Sequence, residues 1–369
     1  METTRSYEPL EAFSLNLGIF TVCGHWSAGV KNRSLRYLYK VWGILAPGIC
    51  TGAFFTLQFI NMILVFGDLQ KVMETCYLLV TYVGEMSKFA CLRWHSKRVE
   101  ILFEKLETPI FMPRRQEHFD FMKEAMGIVR RDSLLFLSTA ISAVTFWSFY
   151  PLVDSAQGRK LAYVMWCPVD LNNTAIYVGT YSFQVVVVVY NTAINTMMDT
   201  TICGLMRMMS GHLDILSLDF SSLFDEHYIK PGSSSPRKNS INMSTRIRDN
   251  FFVKKNDSLD SMADLATVRS STELTSEEIH SRLVACVKYY LAIEGFVKEL
   301  NNIFEKGMLM QFAASCLIVC VTSFELTMAP VASIQFASII QYQGCMILQI
   351  FIYCWRGNEL TIKFSQLSD

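Results

Sequence analysis

The sequence predicts an all-α protein, a polytopic bundle of membrane helices, and two observations carry that prediction. Only 18% of the residues are charged, against roughly 25% in an average soluble chain. The shortage is concentrated in six long, charge-poor blocks. About 20 apolar residues cross the hydrocarbon of a bilayer as a helix, and soluble core helices rarely reach that length without a charge. The blocks lack period-2 alternation, and barrel strands are only about 10 residues long, so a β-barrel is excluded.

The elements follow in order. Residues 1–40 form an N-terminal arm. "METTRSYEPLEAFSLNLGIF" has no continuous apolar core for a secretory signal, so the first span is expected to act as the insertion signal. "LEAFSLNLGIFTVCGHW" reads equally as an amphipathic helix at the inner interface, with Phe13, Leu17 and Phe20 on one side, or as a frayed arm. The spans are Val41–Phe66, Val72–Leu92, Ser133–Val153, Leu171–Met198, Gly307–Phe324 and Leu326–Trp355. The second is the weakest, because it holds Glu74, Glu85 and Lys88.

Basic residues set the orientation, because they stay in the cytoplasm. Arg5, Lys31, Arg33, Arg36 and Lys40 precede the first span, and the links between spans two and three and between four and five are also rich in base. The alternate links are poor: 67–71 has only Lys71, 154–170 only Arg159 and Lys160, and 325–331 none. Both termini are therefore expected in the cytosol, the reverse of a heptahelical G-protein-coupled receptor.

Residues 41–213 comprise spans one to four with projecting cytoplasmic helices. "MSKFACLRWHSKRVEILFEKLETPIF" and "FDFMKEAMGIVRRDSLLF" keep helical spacing beyond the membrane. Residues 214–277 read as a disordered cytoplasmic insert, rich in Ser, Asn and charge, with too little apolar surface to offset ordering entropy. Its "SSSPRK" (233–238) reads as an ordinary disordered Ser-Pro segment before it reads as a kinase target. Residues 278–369 are a cytoplasmic helix plus spans five and six, opened by the capping box "TSEE" at 275–278.

The eleven cysteines form no extracellular framework, since only Cys167 falls in an outer link. "CLIVC" (316–320) lacks a His or carboxylate to complete a metal site, and packing is the better reading. The sequon "NNT" at Asn172 lies on the outer side and is a glycosylation candidate, whereas those at 32, 242 and 256 fall in the cytosol. Catalysis has no foothold: HExxH, the phosphate-binding loop and G-x-S-x-G are absent, and the histidines are scattered. The chain is read as no enzyme, with no cofactor. Glu85 and Lys88, three apart on one face, are expected to neutralise each other, and packing is favoured over ion conduction.

Several stretches resemble one family. The end of span six, "FIYCWRGNELTIKFSQLSD", is similar to the insect odorant receptors through Cys354, Trp355, Gly357, Asn358 and Glu359. "HSRLVACVKYYLAIEGFVKELNNIFEKGMLMQFAASCLIVC", "LNLGIF" and "MSKFACLRWHSKRVEILFEKLE" resemble its other segments. The resemblance implies a seven-span fold whose last helix lines a cation pore. The sequence stops at Asp369, before such a helix, so the expectation is a ligand-tuning subunit that binds odorant yet opens no pore alone. The implied partners are a co-receptor subunit, in a tetrameric hetero-oligomer at the plasma membrane, and a small hydrophobic volatile ligand. The implied pocket lies in the outer half of the bundle between spans two, three, four and six. There the residues of suitable chemistry are Tyr77, Thr81, Phe146, Trp147, Tyr150, Tyr177, Tyr181, Gln184, Phe336 and Ile340. Trp147 and Tyr181 lead, since each joins an aromatic body to a polar handle. Rival readings are a gustatory receptor and a small-solute transporter, the latter disfavoured by the lack of an inverted repeat.

Overall fold

The computed structural model describes residues 7–26, 33–153, 161–228, 276–331 and 333–368. Two compact units divide the chain, Met1–Ile215 with Leu291–Asp369, and Leu216–Tyr290. The helices are α1 (Ser14–Val22), α2 (Arg33–Pro47), α3 (Phe54–Leu64), α4 (Leu69–Trp94), α5 (Ser96–Leu106), α6 (Gln116–Val153), α7 (Thr174–Tyr228), α8 (Ser276–Met328) and α9 (Ile334–Ser368). Among the described residues there is no strand, so the fold is the all-α bundle that the charge-poor blocks predict.

Among the described residues, four helical stretches are long and apolar enough to cross a membrane: Tyr37–Leu64, Gln116–Phe149, Glu277–Met328 and Ile334–Leu367. The other long helices, α4 and α7, are more polar. α4 carries Glu74, Glu85 and Lys88, and the first half of α7 mixes Tyr, Thr and Gln with its valines. Outward faces are apolar throughout, with Ile44, Ile63, Val186, Leu317, Ile347 and Phe351 all exposed. Such continuous exposure suits lipid and would drive association in water.

Local sequence explains the irregularities. Pro47 has no N–H to donate and its ring crowds the preceding turn, so α2 passes through a π-helical segment, Gly48–Ala53, before α3 resumes. Asp68 caps α4, its carboxylate accepting from the Lys71 amide at 3.4 Å. Span six, expected from Leu326, begins as a helix only at Ile334, because Pro330 interrupts the pattern and Ser333 Oγ then accepts from the Phe336 amide at 3.0 Å.

Residues 7–26 of the N-terminal arm pack on the bundle. Phe13 is fully buried against Phe103 of α5, with rings 5.3 Å apart, and Phe20 is buried beside it. Asn16 is also buried, and its amide donates to Met197 O (3.2 Å), Thr200 Oγ1 (2.8 Å) and Thr201 Oγ1 (3.0 Å) of α7. A glycine permits this approach: a Cβ at Gly204 would lie 2.7 Å from Phe13 Cε1 and 2.9 Å from Val129 Cγ1 of α6.

The helix leaving span four continues to Tyr228, past the boundary expected at 213. Residues 229–275, which hold most of the expected insert, "SSSPRK", Thr275 of the capping box and two sequons, lie outside the described residues, as does Asn32.

Candidate functional site

A partly open cavity of about 100 Å³ lies in the larger unit, lined by α4, α6, α7, α9 and Tyr163. Helical spacing explains the contribution of α4: Tyr77, Thr81 and Glu85 recur every fourth residue and share one face. From α6 come Phe136, Ala140, Ala143, Val144 and Trp147, from α7 Val188, Asn191, Thr192, Asn195 and Thr196, and from α9 Tyr342, Cys345, Met346 and Gln349.

One end is an aromatic wall. Tyr77 meets Trp147 and Tyr342 edge-on, each at 5.5 Å, and Trp147 stacks on Tyr163 at 6.2 Å. These geometries are the favoured ones for aromatic pairs. Two of the wall's polar tips are engaged. Trp147 Nε1 donates to Ser338 O at 3.0 Å, and the Thr81 and Tyr342 hydroxyls share a 2.6 Å hydrogen bond. The wall therefore presents ring faces and edges to the cavity.

Tyr163 is held by a clamp. Fully buried Gln184 accepts from the Tyr163 amide (3.2 Å) and donates to the Tyr163 carbonyl (2.7 Å). A single side chain thus satisfies both backbone groups of a loop residue, as one residue of a strand would. Tyr181 donates to Ser148 O, and Ser148 lies 3.4 Å from the Tyr163 hydroxyl.

The opposite end is a polar floor. Lys88 pairs with Asp199 at 2.5 Å, with side chains 1% and 2% exposed, and also donates to Asn195. Tyr353 donates to Asp199 at 2.8 Å, Gln349 donates to the same carboxylate, and Gln311 donates to Gln349 at 3.0 Å. The expectation that Glu85 and Lys88 neutralise each other is replaced by this arrangement. Lys88 reaches across to α7, where Asp199 offers a buried carboxylate that the sequence shows only as the end of a span.

Beyond the floor, α9 carries a ladder of ion pairs. Glu359 accepts from Arg356 (2.8 Å) and forms ion pairs with Arg207 (3.3 Å) and Lys363 (3.6 Å). Arg356 also pairs with Asp132 of α6, and Lys363 with Asp214 of α7 at 2.5 Å. The Glu359 of the span-six signature is thus a hub that ties α7 to α9.

Of the residues expected at a ligand site, the structure brings Tyr77, Thr81 and Trp147 together on the cavity. Gln184 and Tyr181 stand behind it, holding Tyr163 and the Ser148 turn. Tyr177 packs on Tyr181 at 5.8 Å, and Phe336 is half-buried, neither lining the cavity. Phe146 and Ile340 are exposed, and the side chain of Tyr150 lies outside the described ones. Sequence reasoning missed Tyr163, which falls in a predicted loop, and the polar floor. The signal for the floor was present as Asn191, Asn195 and Asp199 at intervals of four. Asn172 is exposed, its amide donating to Asp170 Oδ1 at 2.9 Å.

The family model described as 7tm Odorant receptor matches residues 68–369. The chain belongs to this family. It is one of receptors rather than enzymes. The receptor is 22% identical to Odorant receptor Or1 of Anopheles gambiae over 368 residues, covering 98% of this chain and 82% of that protein. It is 20% identical to Odorant receptor 94a of Drosophila melanogaster, with the same coverage. Its fold matches the insect olfactory receptor OR5 from Machilis hrabei with a TM-score of 0.71 at 14% identity, over 95% of this chain and 80% of that one. It also matches OR5 in complex with eugenol, with a TM-score of 0.69 at 15% identity, over 96% of this chain and 80% of that one.

Proposed function

We propose that the receptor binds a small volatile ligand in the aromatic-walled cavity and works as a subunit of a ligand-gated cation channel formed with a co-receptor. It sits in the plasma membrane with its N-terminus in the cytosol, the sense that its basic links require. The observation that carries the reading is the cavity itself: aromatic at one end, polar at the other, with Tyr77, Thr81 and Trp147 on its wall. An apolar pocket with few convergent polar groups is the form that small-molecule sites take. The fold relative OR5, solved with eugenol, supports the reading.

A cavity of about 150 Å³ holds benzene, so one of about 100 Å³ that is partly open takes a ligand of roughly six heavy atoms. Gating requires that the ligand favour one conformation over another. α9 supplies the coupling, because it carries Tyr342 and Gln349 of the cavity and, farther along, Arg356, Glu359 and Lys363 of the ladder. Tyr181 and Gln184 act by positioning the Tyr163 wall.

The test is co-expression with a co-receptor subunit and recording of currents evoked by short volatile ligands. Trp147→Ala is expected to lower apparent affinity by roughly 10-fold or more, from lost ring contacts. Currents whose ligand sensitivity is unmoved by Trp147→Ala and by Tyr77→Ala would overturn the site.

A further inference from the structure

We propose that the ligand is a short-chain primary amine, seated with its ammonium on the Glu85 carboxylate and its hydrocarbon against the Tyr77–Trp147–Tyr342 wall. The inference rests on the cavity being the ligand site. Its basis is the charge distribution on the floor.

Glu85 lines the cavity and is 5% exposed. Among the described residues it has no hydrogen bond and no ion pair. Its helical neighbour Lys88 is already engaged, since its ammonium is held by Asp199 and Asn195. Lys88 and Asp199 cancel, which leaves Glu85 as an uncompensated acidic group facing the cavity. Several of the other polar groups at the cavity are engaged. Gln349 joins Gln311 to Asp199, Asn191 bridges Thr51 and Cys50 O, and Thr81 pairs with Tyr342.

A buried carboxylate without a partner is strongly disfavoured, and a cation of matching reach is what relieves it. An ammonium is the complementary headgroup, donating short charge-assisted hydrogen bonds. If the carboxyl enters the encounter protonated, it passes that proton to the nitrogen of a neutral amine and the same ion pair results. An alcohol of equal length fills the same volume and donates one neutral hydrogen bond, so it is the natural comparison.

The experiment uses the full chain in detergent and equilibrium binding of n-pentylamine and n-pentanol at neutral pH. The amine is expected to bind roughly 10- to 100-fold more tightly, the range that a hydrogen bond to a charged group supplies. Glu85→Gln should remove that preference, so that the two compounds bind alike, and Glu85→Asp should keep part of it. Equal affinity of the native chain for the two compounds overturns the inference without recourse to any variant. So does amine binding undiminished in Glu85→Gln. If n-pentanol binds and Trp147→Ala weakens it, but the amine holds no advantage, the cavity stands as the site and the amine assignment falls. If neither compound binds, both readings fall.

Discussion

Replacing Asp199 by leucine removes the acceptor on which the cavity floor converges. Lys88 and Asp199 are 1% and 2% exposed, so no water compensates either charge. The substitution leaves the Lys88 ammonium buried with only Asn195, and it orphans the Tyr353 hydroxyl and the Gln349 amide. Breaking a buried pair from one side costs about 3–5 kcal/mol. At roughly 2 °C per kcal/mol for a long chain, the melting temperature in detergent should fall by roughly 6–10 °C. Lys88→Met combined with Asp199→Leu removes both charges and keeps the volume. Replacing a whole buried pair by apolar groups is often neutral or better, so the double variant should regain most of the loss. The assay is thermal unfolding of the native chain, both single variants and the double. If the double variant loses the sum of the two single losses, the residues are not coupled and the account of the floor is wrong.

Gly204→Ala drives a Cβ to within 2.7 Å of Phe13 and should cost about 1–3 kcal/mol, relieved when Phe13 is shortened to leucine; thermal unfolding of the pair checks it. His212, in the part of α7 beyond its apolar block, is fully buried against Phe111 at 5.0 Å, and burial lowers its pKa to about 3. The unfolded chain takes up the proton first. Its stabilisation is therefore complete above the ordinary value of 6.5 and is lost as pH falls toward 3, by about 1.4 kcal/mol per pH unit. Unfolding measured between pH 7.5 and 5.5 should show that slope, and it should flatten in His212→Gln. Asn172, exposed in the connection before α7, should carry a glycan; Asn172→Gln should then match the mobility of the glycosidase-treated native chain.

The bundle was legible because lipid leaves a coarse mark on sequence, long blocks without charge that need no tertiary information. Boundaries were less so: a Pro at position 330 shifts the start of α9, and the π-helical turn after Pro47 is a local response that hydropathy does not register. Site residues divide by the same logic. Tyr77, Thr81 and Trp147 lie on helical faces whose period can be counted. Tyr163 is brought to the cavity by Gln184, a contact between a loop and a helix that no periodicity encodes. Lys88 was paired with its sequence neighbour because a helix face is all that one sequence displays, whereas its partner Asp199 lies 111 residues away.

The docking of Asn16 constrains how the chain can be made. Its partners Met197, Thr200 and Thr201 follow it by 181–185 residues. At roughly 5–20 residues per second, the ribosome takes about 10–40 s to deliver them after Asn16 has emerged. Through that interval Phe13 and Phe20 have no α7 to settle against, so this early segment is among the last to reach its place. Biogenesis of the receptor therefore includes a waiting period in which a holdase, or the surface of the bilayer itself, must shelter those two rings.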